Sequence, residues 1–364
     1  MKKAFGLSIL LCLASCLTAC AERENPYIFS YLKEGRFVVQ KKIGADLYDA
    51  PREDVLAEVK KDPDGVLYSE IFYIVATPDD VREAIAGRRL EKERKVVRYT
   101  VRGSVRGRIF NSAEERERYI SPLSVAVGYT PHPEVVDILV AAGCNVNEIL
   151  PDMDRDAPFP EGGYQGLVLE TAFSINPYPG VLAALFRYNP SQDAKETLLA
   201  SVLWEDDKHF AALDLLVKSG INLNGRVNGT FFTPLAWAVF YNQTRLVTIL
   251  LEYGADPNAT VKGGRWPLWH AMSERNYPMM LLLMDNGADP KIRHGHWSLL
   301  AAMVNDSPFH KKGDKEYFKA LDRVVAAHPK GHKYLEEVLE ELRRDKGRTG
   351  DEILAVFRGR GYKI

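Results

Sequence analysis

The chain nearly repeats itself once, 33 residues apart, between Thr233 and Pro290. Thr233, Pro234, Leu235 and Ala238 of the first copy correspond to Trp266, Pro267, Leu268 and Ala271 of the second. The apolar run Leu246, Val247, Ile249, Leu250 and Leu251 answers to Met279, Met280, Leu282, Leu283 and Met284. Both copies close on the same four residues, Gly254-Ala255-Asp256-Pro257 and Gly287-Ala288-Asp289-Pro290. A fixed period of this length is the mark of a stacked repeat, and it constrains the fold more than any other feature.

Each copy reads as two helices and a turn. Proline at the first helical position lacks an amide that would be unpaired there anyway, so Pro234 and Pro267 start helices. Leu235 and Ala238, three apart, fall on one face. Thr244 to Glu252 predicts a second helix with apolar positions at a 3.6 period, and Gly254 supplies the left-handed residue that ends it. A pair this small cannot bury its apolar face alone and must lean on neighbours in a quasi-one-dimensional stack. The pattern resembles the ankyrin repeat, with its TPLHxA start and GADxN close. The second copy departs from it at Trp266 and at Trp269, where the family has histidine. The resemblance implies an all-α repeat solenoid, an ankyrin-like stack of about six repeats with helical caps.

A chain of 364 residues exceeds one ordinary core, but a solenoid lengthens without a larger one. Hydrophobic and charged contents of 46% and 27% are ordinary for a folded protein. A net charge of -1 gives no basic face for nucleic acid, so none is expected as a partner. Residues 1–19 read as a signal peptide, with Lys2 and Lys3 ahead of the apolar stretch Ala4 to Leu17. Leu17-Thr18-Ala19-Cys20 resembles the lipobox of bacterial lipoproteins. That resemblance implies lipid attachment at Cys20 and a membrane-anchored chain in the cell envelope. Ala21 after the cysteine implies the outer membrane, facing the periplasm. An ordinary secretory signal or an uncleaved anchor is the alternative. Cys12 and Cys16 leave with the signal, so Cys144 remains as a lone thiol, expected as a small buried residue.

Residues 20–44 read as a lipidated tether, in which Arg36 to Val39 form one strand or the first turn of a cap. Residues 45–120 read as an N-terminal cap or degenerate repeat. Within it, Asp62-Pro63-Asp64-Gly65 predicts a turn, and Thr77-Pro78-Asp79-Asp80 a capped helix ending at Gly87. Between Arg88 and Arg108 lie nine basic residues and two acids. The alternation of Val97, Tyr99 and Val101 with Arg98, Arg102 and Arg106 predicts a strand or β-hairpin insert near 95–110. Those arginines are either a contact for anionic lipid or an acidic partner, or a solvated face balanced by Glu114, Glu115 and Glu117.

Residues 121–328 carry the repeats. One opens at Ser121-Pro122-Leu123 and closes at Asn145-Val146-Asn147. A poorer copy runs from Leu169 to Asn189, with asparagine at the left-handed position, and another from Leu198 to Asn224. A sixth begins at His296-Trp297-Ser298-Leu299 and resumes at Asp314. Residues 329–364, led by the amphipathic Tyr334 to Arg344, read as the solubilising C-terminal cap.

Candidate chemistry is thin. Asp152, Asp154 and Asp156 begin like a calcium loop, but Ala157 and Gly163 stand where glycine and the bidentate glutamate are needed. His270, His294 and His296 lack helical spacing and a carboxylate or cysteine companion. No metal, no cofactor and no enzyme activity are therefore expected. The ankyrin resemblance implies instead a protein partner on a concave wall of first helices and turn tips. Carried over residue by residue, it places Phe240, Tyr241, Ser273, Glu274 and Tyr129 on the wall. On the tips it places Arg226, Phe231, Arg265, His294 and His296. Phe240 and Tyr241 could equally pack between adjacent helices. The expected role is a lipid-anchored interaction module; the alternatives are an immunity or inhibitor lipoprotein, and an envelope-structural protein gripping anionic lipid through Arg88–Arg108.

Overall fold

The computed structural model describes residues 27–33, 36–43, 46–49, 51–91, 93, 95–105, 108–148, 167–204, 210–227, 230–305, 314–344 and 351–364; for 27–49 and 96–119 it describes the backbone. The described chain forms two compact units, divided between Ile221 and Asn222.

The first unit opens with strands β1 (Tyr27–Lys33), β2 (Arg36–Ile43) and β3 (Asp46–Asp49), an antiparallel meander with β2 at its centre. Arg36 to Val39, expected as one strand or the first turn of a cap, lie in β2, and the stretch expected as a tether also holds β1. The run from Tyr27 to Leu32 is rich in aromatic and β-branched residues, which suit strands, but its pairing is decided by residues up to 14 places away (Tyr27 opposite Lys41) and is not legible locally. Three helices follow: α1 (Arg52–Val59), α2 (Glu70–Val75) and α3 (Pro78–Ala84). Thr77 caps α3 in a reciprocal box with Asp80, and Gly87, at φ 76°, closes the segment.

A long hairpin, β4 (Lys95–Val105) and β5 (Arg108–Ile120), is the insert expected near 95–110 and reaches further, to Ile120. Three helix pairs complete the unit: α4 (Pro122–Tyr129) with α5 (Glu134–Ala141), α6 (Leu167–Ile175) with α7 (Pro179–Phe186), and α8 (Gln192–Trp204) with α9 (Phe210–Lys218). First helices stack in one row, α2–α4–α6–α8, and second helices in another, α3–α5–α7–α9. Asn189 takes the left-handed conformation, φ 46°, where Gly143, Gly220, Gly254 and Gly287 stand in other repeats of the chain. α8 starts at Gln192, ahead of the expected Leu198, because Ser191 caps it by accepting from the Ala194 amide at 3.3 Å. Arg187 and Tyr188 of one pair both reach Asp137 of the pair before, at 2.7 Å each. Burial raises the Asp137 pKa, but these two hydrogen bonds outweigh it and hold the carboxyl below its ordinary range.

The second unit repeats the scheme: α10 (Pro234–Phe240) with α11 (Thr244–Glu252), α12 (Pro267–Ser273) with α13 (Tyr277–Asp285), and α14 (Leu299–Asn305) with α15 (Lys315–Ala327). Helices α16 (Lys333–Arg344) and α17 (Asp351–Gly359) cover its end, packed on α14 and α15 respectively. Pro234 to Val239 are all buried, and the Thr233 hydroxyl accepts from the Ala236 amide at 3.1 Å. The repeat closes are stitched by asparagines. Asn224 Oδ1 accepts from the Asp256 amide at 2.8 Å, and Asn258 Oδ1 accepts from the Asp289 amide at 2.7 Å. Thus the asparagine that ends one repeat close, Asn224 or Asn258, holds the aspartate of the next. The series stops at Lys291, which cannot accept. No described helix is long and apolar enough to cross a membrane.

Candidate functional site

The second unit carries the aromatic surface. Its first loop turns tightly: the Val227 amide donates to Phe232 O at 2.9 Å, and Arg226 Nε donates to Thr230 O. The turn thrusts out Phe231, 59% exposed, with the Arg226 guanidinium 4.8 Å over its ring. Next to it Phe232 folds inward, its centroid 5.7 Å from Trp237, 5.1 Å from Phe240 and 5.1 Å from His270. Phe240 ends α10 and is 41% exposed. Tyr241 follows it, half-buried, 4.6 Å from Trp237 and 5.1 Å from Phe240. Phe240 is therefore on the surface while Tyr241 packs largely against Trp237.

The next repeat supplies the other wall. Arg265, Ser273 and Glu274 are exposed, and the Ser273 hydroxyl donates back to Trp269 O at 2.9 Å. Gly264 passes so close to the first loop that a Cβ there would stand 2.4 Å from Phe231 O, which fixes the spacing of the two loops. His270 is 6% exposed, and its Nε2 has no hydrogen-bond partner among the described residues. Burial, aided by Arg265 and His294, pushes its pKa down to about 4, so it is neutral at physiological pH. In the third loop, strands β6 (Arg293–His294) and β7 (Trp297–Ser298) pair around Gly295, at φ 59°. His294 leans on Trp269 with centroids 5.3 Å apart, whereas His296 is exposed. Trp297 beside it is 52% exposed.

Of the expected site residues, Arg226, Phe231, Phe240, Arg265, Ser273, Glu274 and His296 are exposed in this unit, with Tyr241 and His294 half-buried. Tyr129 is corrected: it lies in the first unit at 7% exposure, because α4 is packed between α2 and α6 and every residue of it is buried. Trp297 was missed; its only signal was a tryptophan beside a His-Gly-His turn. The expected basic patch is divided. Arg98 stands opposite Glu117 in the β4–β5 register, Arg102 falls at a register shift, and Arg106 lies outside the described residues. Arg88, at the start of that stretch, is ion-paired with Glu93 at 2.7 Å. Cys20 and the Asp152, Asp154 and Asp156 segment also lie outside the described residues. Among the described residues no group of three or more metal-ligating side chains gathers.

Residues 198–294 match the family model of ankyrin repeats, in three copies. The chain is similar to human ankyrin repeat and SOCS box protein 6, 36% identical over 98 residues, which are 26% of this chain and 23% of that one. It is also similar to a putative ankyrin repeat protein of Borreliella burgdorferi, 28% identical over 74 residues, 20% of this chain and 33% of that one. The chain thus spans under a quarter of the length of the human relative. Among solved structures, the ankyrin repeat domain of Bcl-3 is aligned over 70% of this chain and 93% of that one, at a TM-score of 0.42 and 19% identity. The human ASB11 ankyrin repeat domain gives 0.40 and 16%, over 76% and 97%. The chain is an all-α repeat solenoid, and its residues 198–294 are similar to ankyrin repeats.

Proposed function

We propose that this protein is a non-enzymatic binding module, held by lipid on Cys20 to a bacterial envelope membrane and facing the periplasm. Its partner is a protein that docks on the first-helix ends and loop tips between Arg226 and Trp297. One observation carries this reading: Phe231 and Phe240 are exposed on the first repeat of this unit and Trp297 on the third, accompanied by Arg226, Arg265 and His296, with Glu274 the one acid among the candidates. Aromatic and arginine side chains dominate interface energetics, since they offer large contact area with little entropy to lose. The excess of cations favours a partner that presents carboxylates beside apolar side chains. A sharper version, an immunity or inhibitor lipoprotein that blocks a toxin or hydrolase, uses the same face. The envelope-structural reading draws less support, because the register sets Glu117 opposite Arg98 and Glu93 occupies Arg88.

The test is a pull-down from envelope extract with the full chain and with Phe231→Ala, Phe240→Ala and Trp297→Ala. A specific partner should be recovered by the wild type and lost from each variant, with thermal stability nearly unchanged because these rings are exposed. Equal recovery of every protein by all four would remove this face from the site. Cys20→Ala should leave the membrane fraction; tight retention would sink the lipid anchor alone.

A further inference from the structure

A second feature of the same unit lies where α15 ends. His328 closes that helix and is 2% exposed. Its Nδ1 sits 2.7 Å from Val324 O. A carbonyl only accepts, so Nδ1 carries the proton and Nε2 presents a lone pair. That Nε2 is buried and has no hydrogen-bond partner among the described residues. The chain then reverses through Pro329, Lys330 and Gly331, with Gly331 at φ 82° and the His332 amide donating to Pro329 O at 2.9 Å. The reversal returns His332 to His328, ring centroids 4.8 Å apart and planes at 79°. His332 Nδ1 is likewise buried and without a hydrogen-bond partner. Tyr334 backs the pair at 5.1 Å from His332, and the Arg293 guanidinium, 4.8 Å over the Tyr334 ring, walls off the far side.

A buried imidazole nitrogen with nothing to bind costs free energy. Two of them, on rings whose centroids are 4.8 Å apart, point to a ligand that accepts lone pairs. An anion is excluded by the same lone pair on His328 Nε2. The backbone carbonyl on the opposite nitrogen is the arrangement by which proteins orient metal-binding histidines.

We propose that His328 and His332 form a two-imidazole site for one borderline transition-metal ion, zinc(II) or copper(II), with water completing its coordination. Imidazole suits both ions. With two protein ligands the site is of modest affinity, and it ties the end of α15 to the start of α16.

The test is calorimetric titration of the untagged full chain with zinc and with copper(II), alongside the electron paramagnetic resonance spectrum of the copper form. One equivalent should bind, with nitrogen hyperfine structure from two imidazoles. His332→Ala, at a half-buried position, should weaken binding at least about tenfold while leaving the circular dichroism spectrum and thermal midpoint of the metal-free protein unchanged. A His294→Ala, His296→Ala double variant should bind as the wild type does. Absence of saturable binding, which would mean that water alone bridges the two nitrogens, would overturn the proposal. So would binding unaffected by His332→Ala, or binding lost in the double variant.

Discussion

Asn258 joins two repeats with one side chain. Its Oδ1 accepts from the Asp289 amide at 2.7 Å, and its Nδ2 donates to Gly287 O at 2.9 Å. Asn258→Ala orphans both backbone groups at the next close, and a loss of about 1–2 kcal/mol is expected, read as a lower urea midpoint with unchanged m. An unchanged midpoint would show that water replaces both bonds at no cost. His270 makes a prediction about pH. Its folded pKa of about 4 lies below the ordinary 6.5, so in that interval the unfolded chain binds a proton that the native chain refuses. Its contribution to stability is complete above 6.5, falls as pH drops, and is lost once pH passes below 4. One unit is worth about 1.4 kcal/mol, so the effect amounts to a few kcal/mol. His270→Phe should flatten the fall of the urea midpoint across this window; an unaltered slope would assign the titration elsewhere, His328 being lowered in the same direction.

At the scale of elements, the α10–α11 turn depends on one left-handed residue. Asn242 stands at φ 55°, and the Gln243 amide donates to Ala238 O at 2.9 Å across the turn. Asn242 Oδ1 also accepts from Asn276 Nδ2 of the following turn at 2.7 Å. Replacing Asn242 by Gly or by Ala removes that bond equally, but only Ala has the Cβ that resists a positive φ. Asn242→Ala should therefore melt below Asn242→Gly by the left-handed penalty, roughly 1–2 kcal/mol at equilibrium. Identical melting would mean that the turn relaxes to another conformation. The start of α10 was legible because its determinants are local: the Thr233 cap and Pro234 at the first helical position. The β1–β3 meander was not, since each strand is chosen by a partner elsewhere in the chain.

For the second unit as a whole, the end of the stack matters most. Leu335, Val338, Leu339 and Leu342 of α16 and Ile353 and Phe357 of α17 are buried, and Arg360 grips Asp322 of α15 at 2.5 and 2.6 Å. A chain ended after Pro329 leaves the apolar faces of α14 and α15 without cover. It should bind a hydrophobic dye, self-associate and unfold at lower urea, because a solenoid without its cap exposes what each repeat was meant to bury. A monomeric truncation with the wild-type midpoint would show that the cap is dispensable.

The sequence by itself determined the helix pairs and their order, since proline starts, asparagine and glycine stops and the 3.6 period act within a few residues of one another. Through the ankyrin resemblance it also nominated Arg226, Phe231, Phe240 and Arg265 as candidates, at helix ends and loop tips. Only the tertiary structure decided which of these candidates meet solvent. Tyr129 and Phe240 both end first helices, yet one is buried and the other exposed, and for Tyr129 the reason is that α4 is enclosed by both neighbouring first helices. The reversal through Pro329 and Gly331 that pairs His328 with His332 is local, but the burial of their two nitrogens without a hydrogen-bond partner is a property of the neighbourhood, and only the tertiary structure assembles that.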